Sequence, residues 1–233
     1  MVKITKRMRK LREQINIHKE YDIIEALKIL KELALSTFIE SVDIAIQLGI
    51  DTRKANQNIR GSVILPHGIG RKIKVAVFSE GENSRIAKNA GADVVGMEDL
   101  AQIIKKDDYD FDVIIASPDA MPLVSQLGHI LGPKGLMPNP KIGTVTSDIG
   151  KAVTNAKLGQ INYRNDKNGI IHTIVGKVDF DEWMLKENIE TLLISIKKNQ
   201  PAKSSGNFLK QIHISTTMGI GIKIHHNSLS LIN

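Results

Sequence analysis

The sequence contains no cysteine, one tryptophan, three tyrosines and five phenylalanines among 233 residues. Without thiols there is no disulfide scaffold, no thiolate zinc site and no cysteine nucleophile. That composition fits a reducing compartment. With so few rings, any core must be aliphatic. No apolar run approaches the roughly 20 residues that a membrane span needs. The N-terminus is basic (Lys3, Lys6, Arg7, Arg9, Lys10, Arg12) but lacks the apolar stretch of a secretory signal. Glu13 and Glu20 count against a mitochondrial transit peptide. Hydrophobic residues still make up 42% of the chain, enough to exclude general disorder and to fill one large or two modest domains.

The net charge is +7, and its placement is informative. From His67 to Leu158 the chain carries eleven Lys/Arg and eleven Asp/Glu. The two ends hold the remaining 21 basic and 14 acidic residues, hence all of the excess. A surface built from those ends attracts a polyanion, unless the charges only form a solvated face.

Hydrophobic spacing divides the chain into three styles. Residues 21–35 repeat Ile23, Leu27, Leu30 and Ala34 at helical steps. Val42, Ile44, Ile46 and Leu48 then alternate with Asp43, Ala45 and Gln47, which predicts a half-buried strand. Residues 51–61 read as a polar loop. In the middle, strands at 74–78, 93–95 and 112–116 alternate with helices at 84–90, 98–106, 119–131 and 148–157. That order predicts right-handed βαβ units around a small parallel sheet. In the last part, residues 160–164 and 170–175 read as strands joined by the turn Asn165-Asp166-Lys167-Asn168-Gly169. A helix follows at 181–198 with Leu185, Ile189, Leu192 and Ile196 on one face. Strands at 208–215 and 220–224 end the pattern.

A lone N-terminal strand cannot form a sheet, whereas the C-terminal part supplies several strands and one helix. The pattern therefore predicts a discontinuous α+β domain, residues 1–67 plus 159–233. Its antiparallel sheet, of split β-α-β type, is backed by helices. The neutral block 68–158 is a Rossmann-like parallel α/β insertion, tethered by two passes of chain.

Glycine motifs do not support a nucleotide site. His67-Gly68-Ile69-Gly70-Arg71-Lys72 leads into a strand, where a phosphate loop needs a helix. Gly128-His129-Ile130-Leu131-Gly132-Pro133-Lys134-Gly135 has the wrong spacing, and no Ser or Thr follows its lysine to hold magnesium. An enzyme in which the α/β insertion binds a nucleotide remains the competing hypothesis, to be separated by titration with ATP, GTP or NAD. His18, His67, His129, His172, His213, His225 and His226 are scattered, and none has the i, i+4 spacing with a carboxylate that a hydrolytic zinc site uses. The expectation is no catalytic residue, no metal and no cofactor.

The strand at 208–215 is more specific. Ile212 and Ile214 share one face; Gln211, His213 and Ser215 share the other. It runs into Ser215-Thr216-Thr217-Met218-Gly219, three hydroxyls, a thioether and a glycine that permits close backbone approach. Hydroxyls and backbone amides suit phosphate and ribose 2′-OH groups, although an ordinary Ser/Thr-rich strand end has the same composition. Phe38, beside Thr37 and Ser41, has two uses, core packing or stacking on a base; on the residues alone, the core is favoured.

Long stretches of the chain resemble the bacterial branch of the large-subunit ribosomal protein one family. They include Phe38-Ile39-Glu40-Ser41-Val42-Asp43, Gln57-Asn58-Ile59-Arg60-Gly61, Ala116-Ser117-Pro118-Asp119-Ala120-Met121, Leu131-Gly132-Pro133-Lys134-Gly135-Leu136-Met137-Pro138-Asn139-Pro140-Lys141, Tyr163-Arg164-Asn165-Asp166-Lys167-Asn168-Gly169 and Ser215-Thr216-Thr217-Met218-Gly219. The resemblance implies a cytoplasmic, non-enzymatic ribosomal protein. It implies binding of 23S rRNA at the mobile stalk near the tRNA exit site, help in releasing deacylated tRNA, and repression of the protein's own operon mRNA. It also implies an RNA surface on the discontinuous domain. Phe38 and Ser41 lie at that surface, Asp166, Lys167 and His172 flank it, and Ser215, Thr216, Thr217, Met218 and Gly219 form its centre. Relatives often carry lysine where this chain has Thr37, so one phosphate contact is not expected here.

Overall fold

The computed structural model describes residues 5–16, 19–106, 109–201 and 207–225. The chain opens with α1 (Lys6–Gln14), α2 (Ile23–Leu33), β1 (Ser41–Leu48) and β2 (Arg60–Ile64). Next come β3 (Val75–Phe78), α3 (Glu82–Asn89), β4 (Val94–Gly96), α4 (Glu98–Lys105), β5 (Val113–Ala116), α5 (Met121–Gln126), α6 (Gly128–Leu131) and α7 (Ile149–Lys157). It closes with β6 (Gln160–Arg164), β7 (Ile170–Lys177), α8 (Glu182–Lys198), β8 (Leu209–Thr216) and β9 (Ile222–Ile224). Two compact units result: Met1–Gly70 with Ile161–Asn233, and Arg71–Gln160. The first is α+β and the second parallel α/β.

In the unit built from both chain ends, an antiparallel sheet has the order β7-β1-β8-β9. Val42, Ile44, Ile46 and Leu48 of β1 are buried, and the residues between them are half-exposed. Ile171 and Val175 of β7 and Ile212 and Ile214 of β8 join the same core. Strict alternation along β1, matched by Ile212, Ile214 and Thr216 of β8, means that one face meets the core and the other meets solvent. The core is completed by Ile23, Ala26, Leu27 and Leu30 of α2, by Leu185, Ile189, Leu192 and Ile196 of α8, and by Leu11 of α1. Their three- and four-residue steps put each set on one helical face.

The second unit is a parallel sheet of order β4-β3-β5. Every residue of β3 is buried, as expected of a central strand covered on both faces. Ala76, Phe78 and Ile114 pack with Leu100 and Ile104 of α4, with Val124 of α5, with Leu131 of α6 and with Leu127 at the junction of the two. Helices α3 and α7 contact the sheet and each other, and Asp148 caps α7 by accepting the Lys151 N–H at 3.3 Å.

Three expectations need correction. Arg60 and Gly61, read as the end of the loop 51–61, instead begin β2, which pairs with β6. Gly61 hides the alternation there: a Cβ would lie 2.6 Å from the Tyr163 hydroxyl, so only glycine fits. Strands β6 and β7 are not ladder partners. They belong to different sheets, and only an isolated bridge, Asn165 to Ile171, joins them. The expected helix at 119–131 is broken into a 3₁₀ turn, α5 and α6, because Pro122 and Gly128 interrupt it.

Candidate nucleic-acid interface

The site grows from the junction where β8 ends beside the start of β1. Val42 pairs with Thr216 in the ladder. One step further out, the Thr217 N–H donates to Ser41 O at 3.1 Å, and the Ser41 N–H donates to Thr217 Oγ1 at 3.0 Å. Lys177 Nζ, at the end of the other neighbouring strand, donates to Ser41 Oγ at 2.9 Å. The Ser41 hydroxyl therefore has its own proton left to offer outward.

Residues 216–219 form a tight turn closed by the Gly219 N–H to Thr216 O at 3.1 Å. A Cβ on Gly219 would stand 2.2 Å from Thr216 Oγ1. The glycine serves its own turn first, where the sequence had suggested close approach to a partner. Thr216 is buried, while Thr217 and Met218 are exposed. Two outward groups thus sit on one buried, hydrogen-bonded base.

Glu40 holds that base. Its side chain is 1% exposed, and Oε2 accepts the Met218 N–H at 2.9 Å. Burial alone would raise its pKa. The Met218 N–H, the Ser36 and Thr216 hydroxyls and the positive charge of Arg7 outweigh that, and they hold the carboxyl below the ordinary glutamate range. Arg7, on α1, also donates to Met218 O at 2.7 Å. Glu40 and Arg7 grip the two sides of the Met218 peptide region, and the residue assignments made from sequence contained neither. Glu40 lies inside the motif Phe38-Ile39-Glu40-Ser41-Val42-Asp43; Arg7 carries no local signal beyond charge.

Phe38 is 52% exposed, so core packing is excluded for it. Leu35, Ile39 and Met218 are exposed as well. Three large apolar side chains within five residues, and a fourth on the turn that Glu40 joins to them, leave an apolar patch at the same corner.

Asp166, Lys167 and His172 lie toward the opposite end of the sheet. Register runs from Ser41 opposite Lys177 to Gln47 opposite Ile170, roughly 20 Å at strand rise. Asp166 Oδ1 accepts the Asn168 and Ile170 N–H groups at 2.8 Å each. The Ile170 bond, then Asn168 and nearby His172, keep its carboxyl below the usual range against the cost of desolvation. Thr52 Oγ1 donates to Lys167 O at 2.7 Å, which fixes the turn and leaves the lysine side chain outside. His172 Nε2 is 3.9 Å from Asp166 Oδ2 and 63% exposed.

Between the two ends runs the solvent face of the sheet. Across β7, β1 and β8 the register aligns Ile174, Asp43 and Ser215, then His172, Ala45 and His213. Burial raises the Asp43 pKa, opposed by Lys177. Burial, and secondly Lys223, push that of His213 down. Hydroxyl, imidazole, amide and ammonium groups on this face suit a ribose-phosphate surface; among the described residues they form no acid–base pair aimed at a common point. Among the described residues no group of three or more His, Cys, Asp or Glu could hold a metal ion, and no helix is long and apolar enough to cross a membrane. His18 and His226 lie outside the described residues.

The charge asymmetry coincides with the two units. Arg71–Gln160 holds equal numbers of basic and acidic residues, so the unit that carries this surface holds the entire excess of +7.

Comparison with known proteins agrees with the resemblance seen in the motifs. A model of the "Ribosomal protein L1p/L10e family" matches residues 30–220. The large ribosomal subunit protein uL1 of Aliivibrio fischeri is 60% identical over 230 residues, 99% of this chain and 98% of its own. That of Photobacterium profundum is 61% identical over 229 residues, 98% of each chain. That of Vibrio vulnificus is 58% identical over 230 residues, 99% of each. These relatives are ribosomal proteins and not enzymes. With most of its length matched by the family model and relatives near 60% identity end to end, the chain belongs to the ribosomal protein L1p/L10e family.

Proposed function

We propose that this chain is a structural component of the large subunit of the cytoplasmic ribosome, and that its two-ended unit binds 23S rRNA at the mobile stalk near the tRNA exit site. On this reading it assists release of deacylated tRNA, and it represses translation of its own operon by gripping a messenger of similar shape. The observation that carries the reading is the Ser41–Thr217 corner. Exposed Phe38, Thr217 and Met218 stand on a buried base, on the unit that holds all the excess positive charge.

Recognition is by shape: phosphate and 2′-OH contacts across a folded RNA, with few base-specific bonds. Ser41, Ser215 and Thr217 supply hydroxyls. Phe38 and Met218 pack on sugar or base edges. Lys167 and His172 extend the footprint, with Asp166 shaping the turn that carries them. Thr216 and Gly219 act from within, by setting the turn.

The test is filter binding to a stalk rRNA fragment and, in parallel, to the operon messenger. Thr217→Val removes the hydroxyl that accepts the Ser41 N–H and donates to Ser41 O at 3.4 Å, so it is expected to weaken both, whereas Thr217→Ser is expected to restore them. Wild-type affinity in Thr217→Val refutes the assignment.

A further inference from the structure

Helix α1 is charged against its own dipole. Its first turn holds Lys6, Arg7 and Arg9 and no acid, and its last turn holds both Arg12 and Glu13. Cations at a helix N-terminus oppose the macrodipole, while the two opposite charges of the last turn offset each other. Lys6 and Lys10 are i, i+4 neighbours, and Lys6–Arg9 and Arg9–Arg12 are i, i+3 neighbours, so like charges also repel along the surface, and Glu13, four residues from Arg9 and three from Lys10, is the one acid of the helix to offset them. Lys6, Arg9, Lys10 and Arg12 are all exposed. None of the four makes an ion pair among the described residues.

Nine residues are too few for a helix to persist on propensity. What holds α1 is docking. Leu11 and Ile15 are buried in the core, Thr5 accepts the Met8 N–H at 3.3 Å, and Arg7 donates to Met218 O at 2.7 Å. That last bond mounts the helix on the turn that carries Thr217 and Met218. The sequence thus retains an unfavourable cluster of charge and fastens it beside the proposed RNA corner.

We infer that α1 is a second RNA-contacting element, which lays Lys6, Arg9, Lys10 and Arg12 along the phosphate backbone next to the Thr217–Gly219 turn, with Arg7 as the positioning residue that aligns it. The inference rests on the RNA-binding reading above. Phosphates relieve the repulsion within the helix, so α1 is destabilised by its charges in the free protein and stabilised by them in the complex.

This opposition of signs separates the idea from a purely structural helix and from a merely solvated one. Glutamine forms helix about as readily as lysine or arginine. The variant Lys6→Gln/Arg9→Gln/Lys10→Gln/Arg12→Gln in the full chain is therefore expected to keep α1. Amide exchange in the free variant should show equal or greater protection of residues 6–14. Its affinity for a stalk rRNA fragment should fall at least tenfold near physiological salt. The slope of log affinity against log salt should become shallower by about 2 to 3, at roughly 0.7–0.9 for each phosphate no longer neutralised. Arg9→Lys/Arg12→Lys, which keeps the charges, should keep the slope. In the wild-type protein, RNA should raise the protection of residues 6–14, a readout that needs no variant.

An unchanged slope in the quadruple variant, or unchanged protection of 6–14 when RNA binds, overturns the inference. If Thr217→Val still weakens binding in that case, the Ser41–Thr217 site stands and only the role of α1 falls. If the wild type shows no salt-sensitive RNA binding, the site reading falls with it.

Discussion

The carboxylate of Glu40 accepts the backbone N–H of Met218 at 2.9 Å, across 178 positions of sequence. This bond ties the approach to β1 to the turn after β8, and it connects fold to function. The bond is charge-assisted and its carboxylate is buried, which makes it stronger than a neutral one and costly to leave half-made.

Replacement of Glu40 by glutamine is expected to destabilise the protein by about 1–3 kcal/mol at neutral pH and to weaken RNA binding by loosening residues 216–219. The pH dependence has a definite sign. The folded state holds the Glu40 pKa below its ordinary value, so the unfolded chain takes up its proton first as pH falls. The stabilisation is complete at neutral pH and is lost below roughly pH 4. Urea unfolding of wild type and Glu40→Gln at pH 7 and in acid should show the difference shrinking as pH drops. A constant difference contradicts this role.

Gly219→Ala places a Cβ against Thr216 Oγ1 at 2.2 Å, and overpacking of this kind costs about 1–3 kcal/mol. Adding Thr216→Ala opens the space. The double variant should then be more stable than the sum of the two single losses, a non-additivity expected of residues in contact. Additive losses in a double-mutant cycle speak against the clash.

His213 titrates in the opposite sense to a paired histidine. Burial and Lys223 lower its folded pKa, so the unfolded chain binds the proton more readily. Stability from this group is present above about pH 6.5 and declines as pH falls from there toward the depressed folded value. His213→Gln should therefore flatten the loss of stability between about pH 7 and pH 5.5, as measured by denaturant midpoints. An equal loss in variant and wild type removes His213 as the cause.

Charged and uncharged contacts differ in their response to salt. Lys167→Gln should lower RNA affinity and make the salt slope shallower by roughly 0.7–0.9. Thr217→Val should lower affinity and leave the slope alone. Identical slopes for Lys167→Gln and wild type place Lys167 off the backbone contacts.

Much of this was legible in the residues. The alternation in Val42–Leu48 and in Ile212–Ile214 set which sheet face is buried, and both faces are as expected. The α+β and parallel α/β architectures followed from element order. Strand β2 was not legible, because Gly61 is dictated by the Tyr163 hydroxyl, a contact between distant parts of the chain. The exposure of Phe38 ran against the preference of phenylalanine for cores; only the family motif pointed outward. Glu40 and Arg7 escaped because their roles exist only once Met218 is folded against them. A buried acid and an exposed base look alike in a string of charged residues.

The most direct test is amide hydrogen exchange on the full-length protein with and without a stalk rRNA fragment. Protection is expected at residues 36–43, 166–173 and 215–219, with little change across residues 71–160. Protection confined to residues 71–160, with the Ser41–Thr217 corner unaffected, contradicts the account.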